Sequence, residues 1–140
     1  MPTIKVSVTT TLSPEEVLAR LTDFGPARAD AWSTVDAAGL TVHDQGPDWA
    51  EVTEGNKLGW ERERYTWNAE AGTVTAVTLE SNLWKAGNGW DYIITPDGTG
   101  SRVDVTARRD GFGVKGKLVG ALLAIVGRSM IKSNTAKALS

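Results

Sequence analysis

Cysteine is absent from this 140-residue chain, which excludes disulfides and thiolate metal sites and fits a reducing compartment. Histidine occurs once, as His43, so a zinc centre would need carboxylates for its other ligands, and no metal site is expected. Neither sign of charge dominates: 15 basic and 17 acidic residues give a formal charge of −2, with no general argument for a nucleic-acid partner. The opening MPTIKVSVTTTLS alternates apolar and polar residues and lacks an apolar signal-like run, so a cytoplasmic location is expected. The apolar run Leu118 to Val126 is too short and too interrupted to cross a bilayer, which argues against stable membrane insertion. Internal repeats and low-complexity segments are also missing. No oligomeric state is read from the sequence.

What the chain does have is enough length for one domain, residues 1–140, with a real core. Ile4, Val6 and Val8 alternate with Lys5, Ser7 and Thr9 as a half-buried strand. Ser13, Pro14 and Glu16 then supply an N-cap, a first-turn proline and a capping box for a short helix whose buried side is Val17, Leu18, Leu21 and Phe24. Gly25-Pro26 ends it, and a second short helix over 26–32 is predicted. Six strands follow, over 39–45, 49–54, 59–67, 72–80, 89–95 and 101–108, separated by short turns such as Gly46-Pro47-Asp48 and Pro96-Asp97-Gly98. Short connectors make them antiparallel neighbours. In the last hairpin, pairing Ile94 with Val103 brings Tyr92 to Val105 and Trp90 to Ala107, so one face is apolar throughout.

From Val114 to Leu139 there is no proline, and the spacing predicts one long helix over 111–140, roughly 35–40 Å in length. Val119, Leu122, Leu123, Val126 and Met130 share one side of it and are expected to lie on the sheet. The helix region carries Lys115, Lys117, Arg128, Lys132 and Lys137 and no carboxylate after Asp110. With the apolar side assigned to the sheet, these cations are read as a solvated face rather than a membrane-facing one.

This order of elements resembles the START-related helix-grip superfamily, and within it the polyketide cyclase/dehydrase and lipid-transport group, kin of the pollen-allergen-like ligand binders. The residues that carry the resemblance are Ser13-Pro14-Glu15-Glu16-Val17, Leu21-Thr22-Asp23-Phe24, Trp32, Gly59-Trp60-Glu61-Arg62-Glu63-Arg64-Tyr65, the 90–95 and 101–106 hairpin, and the terminal helix. It implies an α+β fold in which a seven-stranded, curved antiparallel sheet wraps a long C-terminal helix, with two short helices after the first strand. It also implies an apolar cavity between sheet and helix for a small hydrophobic ligand. No catalytic residue set comes with it.

Several motifs carry chemistry that can be weighed. Gly111-Phe112-Gly113-Val114-Lys115-Gly116 is a literal G-x-G-x-x-G, but no strand follows the helix and no acidic residue lies downstream to hold a ribose, so no dinucleotide or other cofactor is expected. The glycines are instead expected to allow a sharp corner. Glu61-Arg62-Glu63-Arg64 must send one like-charged pair inward, and Trp60 shares a face with Arg62 and Arg64, which nominates that face. The expected ligand-binding residues are therefore Trp60, Arg62, Arg64, Trp90, Tyr92, Leu122 and Val126. The leading function is binding or transport of a small hydrophobic or amphipathic molecule, lipid- or polyketide-like. An alternative is a cyclase or dehydratase, with acid/base candidates His43, Asp91, Tyr65 and Tyr92, and another is an interaction module whose cavity has filled in.

Overall fold

The computed structural model describes residues 3–140. Its strands are β1 (Thr3–Thr10), β2 (Thr41–Gln45), β3 (Trp49–Gly55), β4 (Trp60–Asn68), β5 (Thr73–Ser81), β6 (Gly89–Asp97) and β7 (Gly100–Arg108). Helices α1 (Pro14–Leu21) and α2 (Ala27–Ala31) lie between β1 and β2, and α3 (Gly113–Ala138) closes the chain. The strands form one curved antiparallel sheet in the order β1-β7-β6-β5-β4-β3-β2. Only β1 pairs with a strand distant in sequence, because the short turns of the meander make every other strand the partner of its neighbour.

Local chemistry accounts for most of these elements. Both hydrogen bonds of the capping box form at Ser13 and Glu16, and Val17 and Leu21 are the buried side of α1. The final hairpin has the predicted register, Trp90 opposite Ala107, Tyr92 opposite Val105 and Ile94 opposite Val103. Val6, Val8, Val103, Val105, Tyr92 and Ile94 face the core, where α1 lies over β6 and β7. At the other end of the sheet β2 is an exposed edge strand.

The seating of α3 departs from the expected apolar stripe. Its buried line is Gly116, Gly127, Ile131, Thr135 and Ala138, whereas Leu122, Val126 and Met130 are exposed and Val119 and Leu123 are half-buried. Small residues decide this, because they let the helix backbone come close. A Cβ built at Gly127 would lie 2.8 Å from Ile4 Cδ1 on β1, and one built at Gly116 would lie 2.4 Å from the Leu83 carbonyl oxygen. A rigid helix that touches the sheet through its glycines must turn its bulky flank elsewhere. Its C-terminal end is tied down: Arg20 donates to the Ala138 and Ser140 carbonyls at 2.9 and 3.1 Å, and Thr10 Oγ1 donates to Leu139 O. Gly113, at φ +67°, and the bridge between Gly111 and Trp84 make the expected corner into the helix.

Candidate functional site

Register decides which side of β4 faces in. Tyr65 lies between Ala50 and Ala76, and Glu63 between Val52 and Thr78, all four of those partners being fully or almost fully buried. Glu61, Glu63 and Tyr65 therefore point inward. The nomination of Trp60, Arg62 and Arg64 is corrected: Arg62 pairs with Glu51 on the outer face at 2.7 Å, Arg64 stacks on Trp49 at 4.4 Å, and Trp60 is half-buried on the same side. Trp60 gives no decision on the face, because Tyr65 puts a ring on the opposite one as well. A bulge at Arg62/Glu63 lets Thr78 and Ser81 of β5 both stay buried beside Glu63 and Glu61.

The inward charges form two linked groups. In the first, Arg28 of α2 binds Glu54 of β3 through Nε at 2.8 Å and Nη2 at 3.2 Å, and donates to the Tyr65 hydroxyl at 2.9 Å. Tyr65 in turn donates to Glu54 Oε2. The same guanidinium lies over Phe24, 4.6 Å from its centroid, and donates to the Leu21 and Asp23 carbonyls. It thus pins the α1–α2 connection over the sheet. In the second group, Arg109, immediately after β7, binds Glu61 at 2.6 Å, and Thr78 donates to the same carboxylate oxygen at 2.8 Å. Arg109 is held between two indoles, Trp90 at 4.4 Å and Trp84 at 5.1 Å. Glu63 lies where the two groups meet, within the electrostatic reach of Glu61, Glu54 and Arg109.

Burial splits the protonation of these carboxyls. Burial, and then the charges of Glu61 and Glu54, push Glu63 well above the ordinary carboxylate range, so it holds a proton. Glu54 is equally enclosed, but the charge and hydrogen bonds of Arg28 outweigh burial and keep it ionised. Burial also raises the Tyr65 and Tyr92 hydroxyls, which therefore stay protonated. Arg28 and Arg109 remain cationic, since their acidic neighbours more than offset the desolvation of each guanidinium. The protonated Glu63 carboxyl hydrogen-bonds to Glu54, while Arg109 Nη2 is buried without a hydrogen-bond partner.

A half-open groove of about 490 Å³ runs between β1 and the first half of α3, with Ile4, Gly120, Leu123 and Arg109 among its walls. A second, of about 290 Å³, adjoins it past Gly120 and Ala124 toward Lys85 and Lys117, and Arg109 borders both. The space beside the helix is thus a pair of grooves open to solvent.

The predicted site residues divide. Tyr65 and Tyr92 belong to the buried cluster, and Trp90 is half-buried against Arg109. His43 lies apart on the exposed edge strand β2, where Nε2 meets Thr53 Oγ1 at 2.7 Å. Asp91 is on the outer face, bonded to Arg108 and Thr75. Leu122 and Val126 point away from the sheet, so neither walls the groove. Arg28, Glu54 and Arg109 went unnoticed in the sequence, although two of them had a signal. Extending the alternation Ala50, Val52 by one step gives Glu54, and extending Val103, Val105, Ala107 gives Arg109. Arg28 had none, being one arginine on a five-residue helix. Among the described residues no group of three or more His, Asp or Glu side chains could hold a metal ion. No described helix is long and apolar enough to cross a membrane.

A sheet of this order, two short helices after its first strand and a long terminal helix over its inner face define the helix-grip class of α+β proteins. A family model described as polyketide cyclase / dehydrase and lipid transport matches residues 1–138, and the chain belongs to that family. Solved structures share the fold at low identity. TTHA0849 from Thermus thermophilus is 16% identical with a TM-score of 0.75, covering 99% of this chain and 92% of its own. The Zhui aromatase/cyclase from Streptomyces sp. R1128 is 13% identical with a TM-score of 0.76, at 98% and 91% coverage. A START superfamily protein from Mycobacterium smegmatis is 13% identical with a TM-score of 0.69, at 91% and 93% coverage. At these identities the likeness is one of fold. No curated protein matches the chain in sequence.

Proposed function

We propose that this protein binds a small hydrophobic or amphipathic molecule, lipid- or polyketide-like, in the groove between β1 and α3, with the molecule's polar end on Arg109. The observation that carries the proposal is Arg109 Nη2, buried without a hydrogen-bond partner on a residue that borders both grooves. A buried polar group left unsatisfied costs about 1–3 kcal/mol, so a ligand group that bonds to it recovers that energy. Arg109 borders both grooves and supplies donors for a carbonyl or carboxylate, so a molecule with such a group at one end fits the charge pattern. Its apolar remainder would lie along Ile4 and Leu123, stabilised by about 25 cal/mol per Å² buried before ordering costs.

Native mass spectrometry of the purified protein, followed by organic extraction, tests this directly. Titration with palmitate and with 2-hydroxyacetophenone, read by tryptophan emission, adds a local signal because Trp84 and Trp90 flank Arg109. Saturable quenching that Arg109→Gln abolishes is the expected result. A protein that carries nothing and responds to neither compound refutes the proposal.

A second reading, dehydration or cyclisation of a polyketide-like substrate, is favoured by one arrangement: Glu63, which burial pushes toward its protonated form, adjoins Glu54, which Arg28 holds toward its ionised form. Two carboxyls with separated protonation are the arrangement by which one site offers an acid and a base together. Loss of water from a β-hydroxy ketone, followed by ultraviolet absorbance of the enone, tests it. Turnover must disappear in Glu63→Gln while the variant still melts as the wild type does.

A further inference from the structure

The outward flank of α3 is an apolar surface with nothing over it. Ile125 is 82% exposed, Val114 80%, Leu118 67% and Leu122 54%. On a 100° wheel these four fall within a sector of about 80°, and at 1.5 Å per residue they extend over about 16 Å of the helix. The cations of the helix lie along one edge of the strip and at its two ends. Lys117 and Arg128 follow one edge, Lys115 sits at its start, and Lys132 marks its end, where Ser129 and Ser133 take over. Phe112, exposed ahead of the first turn, adds a ring at the same end of the helix. The helix contains no carboxylate.

An apolar strip whose only charged neighbours on the helix are cations selects its partner by charge. A second copy docking through the same face would bring two sets of lysines together with no acidic side chain on either helix to offset them. An anionic lipid surface offers both complements at once, acyl chains for the strip and head-group charge for its border. We propose that α3 is an interfacial helix: its Val114–Leu118–Leu122–Ile125 strip docks on an anionic bilayer, seated by Lys115, Lys117, Arg128 and Lys132. The helix is held at its far end by Arg20 and Thr10 and needs no unfolding to present this face. The groove residues Gly120 and Ala124 lie on the flank beyond Lys117 and Arg128, so docking leaves the groove mouth at the lipid surface. The surface stands independently of the ligand assignment.

Flotation of the full chain with phosphatidylcholine vesicles, with and without about 30% phosphatidylglycerol, tests the proposal. The wild type should float with the anionic vesicles at low salt, remain behind with neutral ones, and be released as salt rises. Leu118→Ser with Ile125→Ser should lower the bound fraction about tenfold or more, and Lys115→Gln with Lys132→Gln about fivefold per charge removed. These side chains touch solvent, so the variants should melt as the wild type does, and Ile125→Gln alone serves if the double change unfolds. No flotation on anionic vesicles overturns the proposal, as does equal flotation of wild type and variants. A solution dimer dispersed by Ile125→Gln, without vesicle binding, assigns the face to a second copy and overturns it too.

Discussion

Replacing Arg28 by Met isolates what the first charge cluster contributes. The substitution keeps an unbranched side chain of similar length but leaves the Glu54 carboxyl, in a site almost closed to water, without the cation that holds it ionised. Removing one partner of a buried ion pair costs about 3–5 kcal/mol. The Leu21 and Asp23 carbonyls lose a donor as well, at about 1 kcal/mol each where they stay dry. A loss near 4 kcal/mol is a large share of the roughly 5–15 kcal/mol that holds a domain together. In urea, with a slope of about 2 kcal/mol per molar, the midpoint should fall by about 2 M at unchanged slope. The triple change Arg28→Met, Glu54→Leu, Tyr65→Phe replaces the whole set by apolar groups of similar shape, and should lie within about 1–2 kcal/mol of wild type. Urea unfolding followed by tryptophan emission measures all three proteins. A cost under about 1 kcal/mol for Arg28→Met would show that water reaches Glu54, and would refute the reasoning.

Glu63 gives a pH test. The folded protein holds a proton on Glu63 that the unfolded chain has already released, so stability falls as pH rises from the ordinary carboxylate range to the folded value. Glu63→Gln removes that fall, and its unfolding free energy relative to wild type should improve between about pH 5 and pH 8; a flat difference refutes the assignment. Gly116→Ala places a methyl against the Leu83 carbonyl, where backbone cannot yield cheaply, and should lower the melting temperature despite alanine's better helix propensity. A rise in melting temperature would mean that α3 does not seat there. Arg62→Ala on the outer face should change stability by less than about 1 kcal/mol, because its pair with Glu51 is solvent-exposed; a large loss would return that face to the interior.

Much of the molecule was legible residue by residue. The Ser13 capping box, Gly25-Pro26, the glycine and proline turns and the proline-free terminal segment act over a few neighbouring residues, so α1, the strands and α3 follow from them. The hairpin of β6 and β7 was also legible, because one pairing fixes all the rest at a period of two. The candidate site was legible only in part. Tyr65, Tyr92 and Trp90 were named, but the arginines beside them come from α2 and from the end of β7, far apart in sequence.

Two features lay beyond any local argument. Both faces of Glu61-Arg62-Glu63-Arg64 carry like charges and a ring, so pattern alone does not choose between them. The choice came from β3 and β5, whose small buried partners leave Tyr65 and Glu63 room on the inner side only. The long helix posed the same problem. Its wheel shows where the leucines are, but not that Gly116 and Gly127 would let its backbone settle against Leu83 and Ile4. Close approach through small residues outweighed the placement of large ones, and that contest is settled between elements rather than along the chain.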